Sequence, residues 1–249
     1  MKRIFLIFMF ISIAVGSALA CFDTYLFLNK YSMVYPKGKI VLDTLAEYSV
    51  NNVSLPSEDT FLMNFNLYYG FLNNFSLQVG VSSGEKTRDE FGIDEFGFRA
   101  VLNLINQPIA SFVDNYTFDL ILEHHEGIFG KNVSFEFSAP NIFYKGNWVM
   151  VVHPVFSLAN LETSLVEYSL GGHLGIFYLF GTALVGVGAE YQSAQNGAAF
   201  GNRIIEGESG VSLFFGAKIG ENVYIQNEFA KGLANSRDFG FALTVKLVP

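Results

Sequence analysis

The chain has 249 residues, of which 51% are hydrophobic and 15% are charged, and its formal net charge is −8. Ordinary soluble domains carry roughly 25% charged residues, so this is an unusually apolar chain. Its acidic balance argues against nucleic-acid binding, which requires a basic surface. Beyond the N-terminus, no apolar run approaches the ~20 residues that a membrane-spanning helix needs.

Residues 1–20 have the pattern of a secretory signal peptide. Lys2 and Arg3 precede an apolar stretch from Ile4 to Val15, and Ala18-Leu19-Ala20 matches a cleavage site. Two of the 15 bases lie in this segment, so the remainder has 13 bases against 23 acids. We therefore expect an exported protein whose mature form is more acidic than the precursor.

Cys21 follows the expected cleavage site and is the only cysteine of the chain. A single cysteine excludes an intrachain disulfide. Simple cleavage before Cys21 and lipidation of its thiol are both compatible with this position. Residues 21–38 then form an N-terminal segment, for which three alternatives stay open: a periplasmic arm, an extra strand, or a plug inside the remainder.

Residues 39–249 show a two-residue alternation of apolar and polar side chains. Because alternate side chains of a strand point to opposite faces, this pattern predicts strands with one oily, aromatic face and one small or polar face. Strands of about ten residues suit a tilted membrane span. The twelve predicted strands cover residues 39–51, 60–72, 75–83, 94–104, 115–125, 132–144, 147–158, 165–179, 182–194, 205–219, 223–231 and 237–248.

Links between these strands alternate in length. Short turns with residues that tolerate positive φ alternate with longer polar links, such as residues 52–59, 84–93 and 195–204. This alternation is typical of membrane β-barrels with short periplasmic turns. The predicted fold is therefore an all-β, antiparallel, transmembrane β-barrel of about twelve strands, with ten or fourteen as alternatives.

One strand departs from the alternation. Around residues 147–157 the inward face is also apolar, with Val149, Val151 and Val155. We expect an apolar segment to cover this wall, and Tyr25–Leu28 is the candidate. The alternative is a tight barrel in which this strand needs no cover.

The C-terminal strand carries a resemblance. Gly240-Phe241-Ala242-Leu243-Thr244-Val245 is similar to the assembly signal of Gram-negative outer-membrane β-barrels, although the chain ends on Pro249 rather than on an aromatic residue. With the signal peptide and the alternating strands, the chain resembles this broad porin-like class. The resemblance implies the bacterial outer membrane, contact with its lipids and lipopolysaccharide, and recognition by the barrel-assembly machinery.

With the aromatic face outward, most acids of the strands point inward. They are Asp43, Glu47, Glu95, Asp119, Glu123, Glu136, Glu167, Glu190, Glu206, Glu208 and Glu228, against the bases Arg99, Lys218 and Lys246. Carboxylate-rich walls favour cations in a pore. The alternative is that these groups hydrogen-bond across a packed interior and brace it.

Histidines offer a weaker signal. His153 and His173 point inward from neighbouring strands, as a proton or metal site would require, but a satisfied interior pair is the plainer interpretation. His124 and His125 end a strand, where an outer-membrane enzyme would place rim groups. We predict no catalytic residues, no metal and no cofactor.

The sequence thus favours a channel-like outer-membrane barrel for passive passage of ions or small solutes, with a preference for cations. A twelve-stranded barrel is wider than an eight-stranded barrel and narrower than a large porin. Any path through it would therefore admit only small solutes. A closed structural or surface-interaction barrel and a rim enzyme are the alternatives.

Overall fold

The computed structural model describes residues 33–50, 52–54, 59–87, 90–109, 111, 113–127, 133–161, 165–193, 196–197 and 207–249. The expected signal peptide, Cys21 and Tyr25–Leu28 lie outside the described residues. The described part is all-β. None of its segments is a helix long and apolar enough to cross a membrane.

Fourteen strands are formed by the described residues. They are β1 (Ile40–Val50), β2 (Thr60–Leu72), β3 (Phe75–Thr87), β4 (Glu90–Gln107), β5 (Asn115–Gly127), β6 (Val133–Ser138), β7 (Asn141–Lys145), β8 (Trp148–Leu161), β9 (Leu165–Phe180), β10 (Ala183–Gln192), β11 (Asn196–Gly197), β12 (Glu208–Ile219), β13 (Val223–Ala234) and β14 (Phe239–Leu247). Among the described residues, the two-residue β11 pairs with the start of β9.

The sheet closes on itself. All pairings are antiparallel, most of them join strands that are neighbours in sequence, and β14 pairs with β1, with Ser49 opposite Gly240 and Asp43 opposite Lys246. Because β6 and β7 pair successively along β5 and β8, they are two halves of one barrel strand. Within the described chain the barrel therefore has twelve strands, as the sequence predicts.

The break between β6 and β7 has a local cause. Ala139 and Pro140 face His153 and Pro154 across the strand pair, and proline nitrogens cannot donate to the ladder. Ala139 N still donates to Pro154 O (3.1 Å), and Asp119 N donates to Pro140 O (3.1 Å). The strand thus bends here without leaving the barrel wall.

The two faces of the wall alternate as the sequence predicts. In β1 the buried residues Val41, Asp43 and Glu47 alternate with the exposed or half-buried residues Leu42, Thr44 and Ala46. Large apolar side chains such as Phe65, Val187 and Phe215 are exposed on the outside. An apolar outer surface of this kind is suited to lipid rather than to water.

The start of β1, the end of β14 and several short turns lie at one end of the barrel, which we call the short-turn end. Gly146, Gly181 and Gly220 adopt φ values of +55° to +68° in three of its turns. Lys39 Nζ donates to the carbonyl oxygen of Pro249 (2.8 Å), which joins the residue before β1 to the last residue of the sequence. The opposite end carries the two longest links, between β1 and β2 and between β10 and β12, and we call it the long-loop end. The link predicted at residues 84–93 is shorter than expected, because β3 extends to Thr87 and β4 begins at Glu90.

Candidate functional site: the barrel lumen

An apolar cluster occupies the lumen toward the short-turn end. Its members come from the N-terminal segment and from nine of the strands, and several are the first inward residues after a short turn. They are Met33, Val34, Tyr35, Val41, Tyr68, Val101, Ile121, Ile142, Tyr144, Val149, Val151, Phe177, Leu184 and Phe214. We refer to this set as the apolar cluster.

Glycines make room for its largest members. Gly186 lies opposite Phe177 on β9 and opposite Phe214 on β12, and the two rings approach to 5.5 Å between centroids. A Cβ at Gly186 would come into conflict with the ring of Phe177. Gly186 therefore makes room for aromatic rings inside the lumen and does not widen a path for solutes.

The described part of the N-terminal segment enters the lumen at this end. Met33 N donates to Asp119 Oδ2 (2.9 Å) on β5, and Tyr35 N donates to Ser76 Oγ (2.7 Å) on β3. The Tyr35 ring meets the Tyr68 ring edge-on at 5.2 Å. Met33, Val34 and Tyr35, which we call the N-terminal triplet, are therefore held against the part of the wall formed by β2 to β5.

The inward face of β8, where the alternation of apolar and polar residues fails, forms part of the apolar cluster. Val149 and Val151 on β8 are buried together with the N-terminal triplet. The apolar inward face of β8 thus has an apolar partner inside the lumen. The particular segment expected there, Tyr25–Leu28, lies outside the described residues and stays a prediction.

Above the cluster, a buried ion pair joins the first and last strands. Lys246 Nζ lies 3.2 Å from Asp43 Oδ2, and both side chains are almost fully buried. The ammonium also lies over the ring of Tyr68, at 5.3 Å from its centroid. Since the pair sits at the β1–β14 seam, it joins the two strands that close the barrel.

Toward the long-loop end the lumen is polar, and one group of charges spans β4, β5 and β6. Arg99 Nε donates to Glu123 Oε1 (2.6 Å), and the two ring nitrogens of His125 lie 2.7 Å from Glu95 Oε1 and 3.3 Å from Glu123 Oε2. Glu136 lies directly opposite Glu123 and accepts from Ser157 Oγ (3.1 Å). This group links three neighbouring strands of the wall and also places charges on its inner face.

The histidine pair lies on the next strands. His153 on β8 faces His173 on β9, and their ring centroids are 5.7 Å apart. Glu190 stands opposite His173 on β10. Among the described residues, no group of three or more His, Cys, Asp or Glu side chains is arranged to hold a metal ion.

Arg237 is a luminal base that the sequence did not reveal. It lies in the β13–β14 turn, yet its side chain is buried inside the barrel and bonds Glu47 Oε1 and Ser49 Oγ (2.8 Å). In a straight strand, position 237 would share the outward face with Phe239 and Phe241. The turn instead folds inward over Gly240, whose missing Cβ leaves room for the guanidinium. The expectation of only three clear luminal bases was therefore wrong.

Eleven of the acids, bases and histidines that the sequence predicts to point inward lie on the inner face of the wall. Lys218 lies inward near the short-turn end, with its ammonium 5.4 Å from the Tyr224 ring centroid. The residues on the inner face are Asp43, Glu47, Glu95, Arg99, Asp119, Glu136, His153, His173, Glu190, Lys218 and Glu228. Their role in a transport path stays a prediction. The Glu167 side chain and Glu206 lie outside what the structure describes.

Two exposed carboxylates connect neighbouring loops, one at each end of the barrel. At the short-turn end, the N–H of Gly146 and then the ammonium of Lys145 hold the pKa of Asp114 below its usual value. In the β13–β14 turn, the N–H of Val53 lowers the pKa of Asp238, and the charge of Lys231 adds to this. Both groups are therefore ionised at neutral pH and link neighbouring loops.

Aromatic side chains pair on the outer wall near the short-turn end. Trp148 and Tyr178 meet at 4.9 Å between ring centroids, and Tyr116 and Phe143 meet at 5.0 Å. Aromatic belts of this kind mark the lipid–water interface of membrane barrels. The geometry thus gives an outer wall for lipid, a polar lumen at one end and an apolar cluster at the other.

Solved structures share this architecture. An outer-membrane channel from Pseudomonas putida F1 superposes with a TM-score of 0.68 at 10% identity, covering 89% of this chain and 98% of that one. The KdgM porin, determined in complex with disordered oligogalacturonate, gives 0.56 at 13% identity, covering 83% and 98%. The chain has the fold of the outer-membrane β-barrels.

The remaining comparisons with known proteins do not indicate a function for this chain. Outer-membrane phospholipase A from Escherichia coli gives a TM-score of 0.48 at 14% identity, covering 89% of this chain and 96% of that one. No protein-family model and no curated protein sequence matches the chain. The fold is therefore identified, and the function has to be argued from the lumen itself.

Proposed function

We propose that this protein is a channel-like barrel of the bacterial outer membrane that admits small cations passively. The observation that carries the proposal is the inner wall of the long-loop half, where Glu47, Glu95, Glu190 and Glu228 line a lumen enclosed by a lipid-compatible outer face. Acid-rich walls raise the local concentration of cations and favour their passage. The signal peptide and the C-terminal strand supply export and assembly.

In this proposal the described conformation is the closed one. The apolar cluster separates the polar lumen from the short-turn end, and an ion cannot shed its water against such a surface without a large cost. The N-terminal triplet is the only part of the apolar cluster that does not belong to a barrel strand. Displacing it opens a gap at the short-turn end while the wall stays intact.

Single-channel recording tests the proposal. Folded protein in planar bilayers, with unequal KCl on the two sides, is expected to give discrete openings with a reversal potential on the cation-selective side. Heat-modifiable migration on gels confirms folding before each recording. Absence of any current, in the full chain and in a chain that lacks the N-terminal triplet, contradicts a channel.

A closed structural or surface-interaction barrel is the second candidate, and the apolar cluster is the observation that favours it. Fully buried Phe177 and Phe214 fill the lumen as core residues fill a soluble domain. This candidate predicts that removal of the N-terminal triplet lowers stability without producing openings. A rim enzyme finds less support, because both ring nitrogens of His125 are already occupied by carboxylates.

A further inference from the structure

One side of the polar lumen holds four glutamates near Arg237. Glu47 lies on β1 and Glu228 on β13, and both flank Ala242 of β14 across the sheet. Glu190 on β10 and Glu208 on β12 complete the group, and the charge of Arg237 acts on these two acids and on Glu228. We refer to the four glutamates as the acidic cradle.

Small residues form the floor of this cradle. Gly240 lies between Ser49 and Ala230 in the register, and Gly210 lies between Glu190 and Gly232. A Cβ at Gly240 would stand 2.6 Å from Arg237 Cζ, and one at Gly210 would stand 2.7 Å from Glu190 Oε1. Gly240 thus leaves space for the guanidinium of Arg237, and Gly210 leaves space for the carboxylate of Glu190.

The guanidinium does not satisfy the cradle. Arg237 Nη1 and Ser49 Oγ both bond Oε1 of Glu47, whereas Oε2 of the same carboxylate has no hydrogen-bond partner among the described residues. The Glu47 side chain is only 5% exposed. A buried carboxylate oxygen without a donor is costly, so Arg237 satisfies the carboxylates of the cradle only in part.

We infer that the acidic cradle is a binding site for a guanidinium or primary ammonium group, and that Arg237 is its tethered occupant. The inference rests on the proposed function and deepens it, since it names the class of cation that the lumen selects. A planar guanidinium can serve two carboxylates at once through its forked donors. A cation entering from the long-loop end competes with Arg237 for the cradle.

Chemical rescue of stability tests the site independently of any measurement of bilayer conductance. In Arg237→Ala the cradle loses its occupant, and Glu47 is left buried and unpaired, so the urea midpoint of the refolded barrel falls. Guanidinium chloride at 5 mM is expected to raise that midpoint again by about 0.5 M, if it binds with a millimolar dissociation constant. Sodium chloride at 5 mM should have no such effect.

Matched variants define the outcome. Lys231→Ala removes a base from the same hairpin, where Lys231 pairs with Asp238 outside the lumen, and it should show no rescue. Glu47→Gln combined with Arg237→Ala should lose the rescue. Arg237→Gln, which keeps a neutral donor, replaces Arg237→Ala if the latter fails to refold.

Equal midpoints of Arg237→Ala with and without guanidinium overturn the inference, and so does an equal rise in the wild-type chain or in Lys231→Ala. Rescue in a barrel that never conducts in bilayers would contradict the channel and leave the binding site standing. A barrel that conducts in bilayers but shows no rescue by guanidinium would contradict the binding site and leave the channel standing. The two proposals therefore fail separately.

Discussion

Met33 donates its backbone N–H to the carboxylate of Asp119 at 2.9 Å, across 86 residues of sequence. Asp119 is fully buried on the inner face of β5 and also accepts from Asn103 Nδ2 (2.5 Å). This bond holds the entering chain against the wall at the level where the apolar cluster begins. Hydrogen bonds to charged groups contribute about 1.5–3 kcal/mol.

Asp119→Ala should therefore loosen the N-terminal triplet. The readout is the labelling rate of a cysteine at position 33 by a membrane-impermeant thiol reagent, in a chain whose Cys21 is replaced by Ser. Loss of about 1.5–3 kcal/mol predicts labelling faster by about one to two orders of magnitude. Asp238→Ala, which alters a rim carboxylate at the other end, is the control. Equal labelling rates in all three chains would show that Asp119 does not hold the triplet.

Deletion of residues 22–36 should raise the conductance of the barrel, because it removes the triplet from the lumen. The matched control deletes residues 22–32 and leaves Met33, Val34 and Tyr35 in place. We expect larger or more frequent openings only in the longer deletion. An increase already complete in the shorter deletion would instead assign the plug to the preceding residues, as expected from Tyr25–Leu28.

Gly70→Ala offers a smaller perturbation of the same contact. A Cβ at Gly70 would lie 2.6 Å from the carbonyl oxygen of Tyr35 and 2.8 Å from the carbonyl carbon of Pro36, so the entering chain has to move. Bilayer recordings should show increased opening. Gly97→Ala is the control, because its Cβ would meet His125 only at an ordinary contact distance of 3.4 Å. Increased opening in both variants would point to a general effect of inward alanine.

Lys246→Met should destabilise the barrel strongly. It leaves Asp43 buried at the β1–β14 seam without its partner, and breaking one side of a buried pair costs about 3–5 kcal/mol. Combining it with Asp43→Asn should recover part of this loss. Urea unfolding followed by gel mobility measures both. Lys145→Met breaks the exposed pair with Asp114 and should leave the urea midpoint nearly unchanged; a similar loss in both single variants would contradict a special role of the seam.

Val187→Arg tests the outer face as a lipid contact. Val187 lies midway along β10 and is 55% exposed on the outside. An arginine near the bilayer midplane costs about 2–4 kcal/mol in a membrane barrel, so unfolding from lipid vesicles should require less urea. Val187→Leu is the control. A neutral effect of the arginine would mean that this face meets water.

The strands were accessible from the sequence, because the alternation of side chains is a local property of each segment. β2 has the predicted bounds, and most other strands end within a few residues of the predicted ones. The inward positions of Asp43, Glu47 and Glu228 follow from the same alternation, since a charge on the lipid face is costly. The closed barrel follows because no strand edge can remain unpaired in lipid.

Contacts between segments distant in sequence were decided only by the tertiary structure. Position 237 belongs by alternation to the outer face, and only the inward fold of its turn over Gly240 brings Arg237 to Glu47. The apolar face of β8 indicated that a cover exists, but Val149 does not specify which segment supplies it. Local periodicity determines which way a strand's side chains point. What fills the lumen depends on where the turns and the N-terminal segment return, and on the space that distant glycines leave for them.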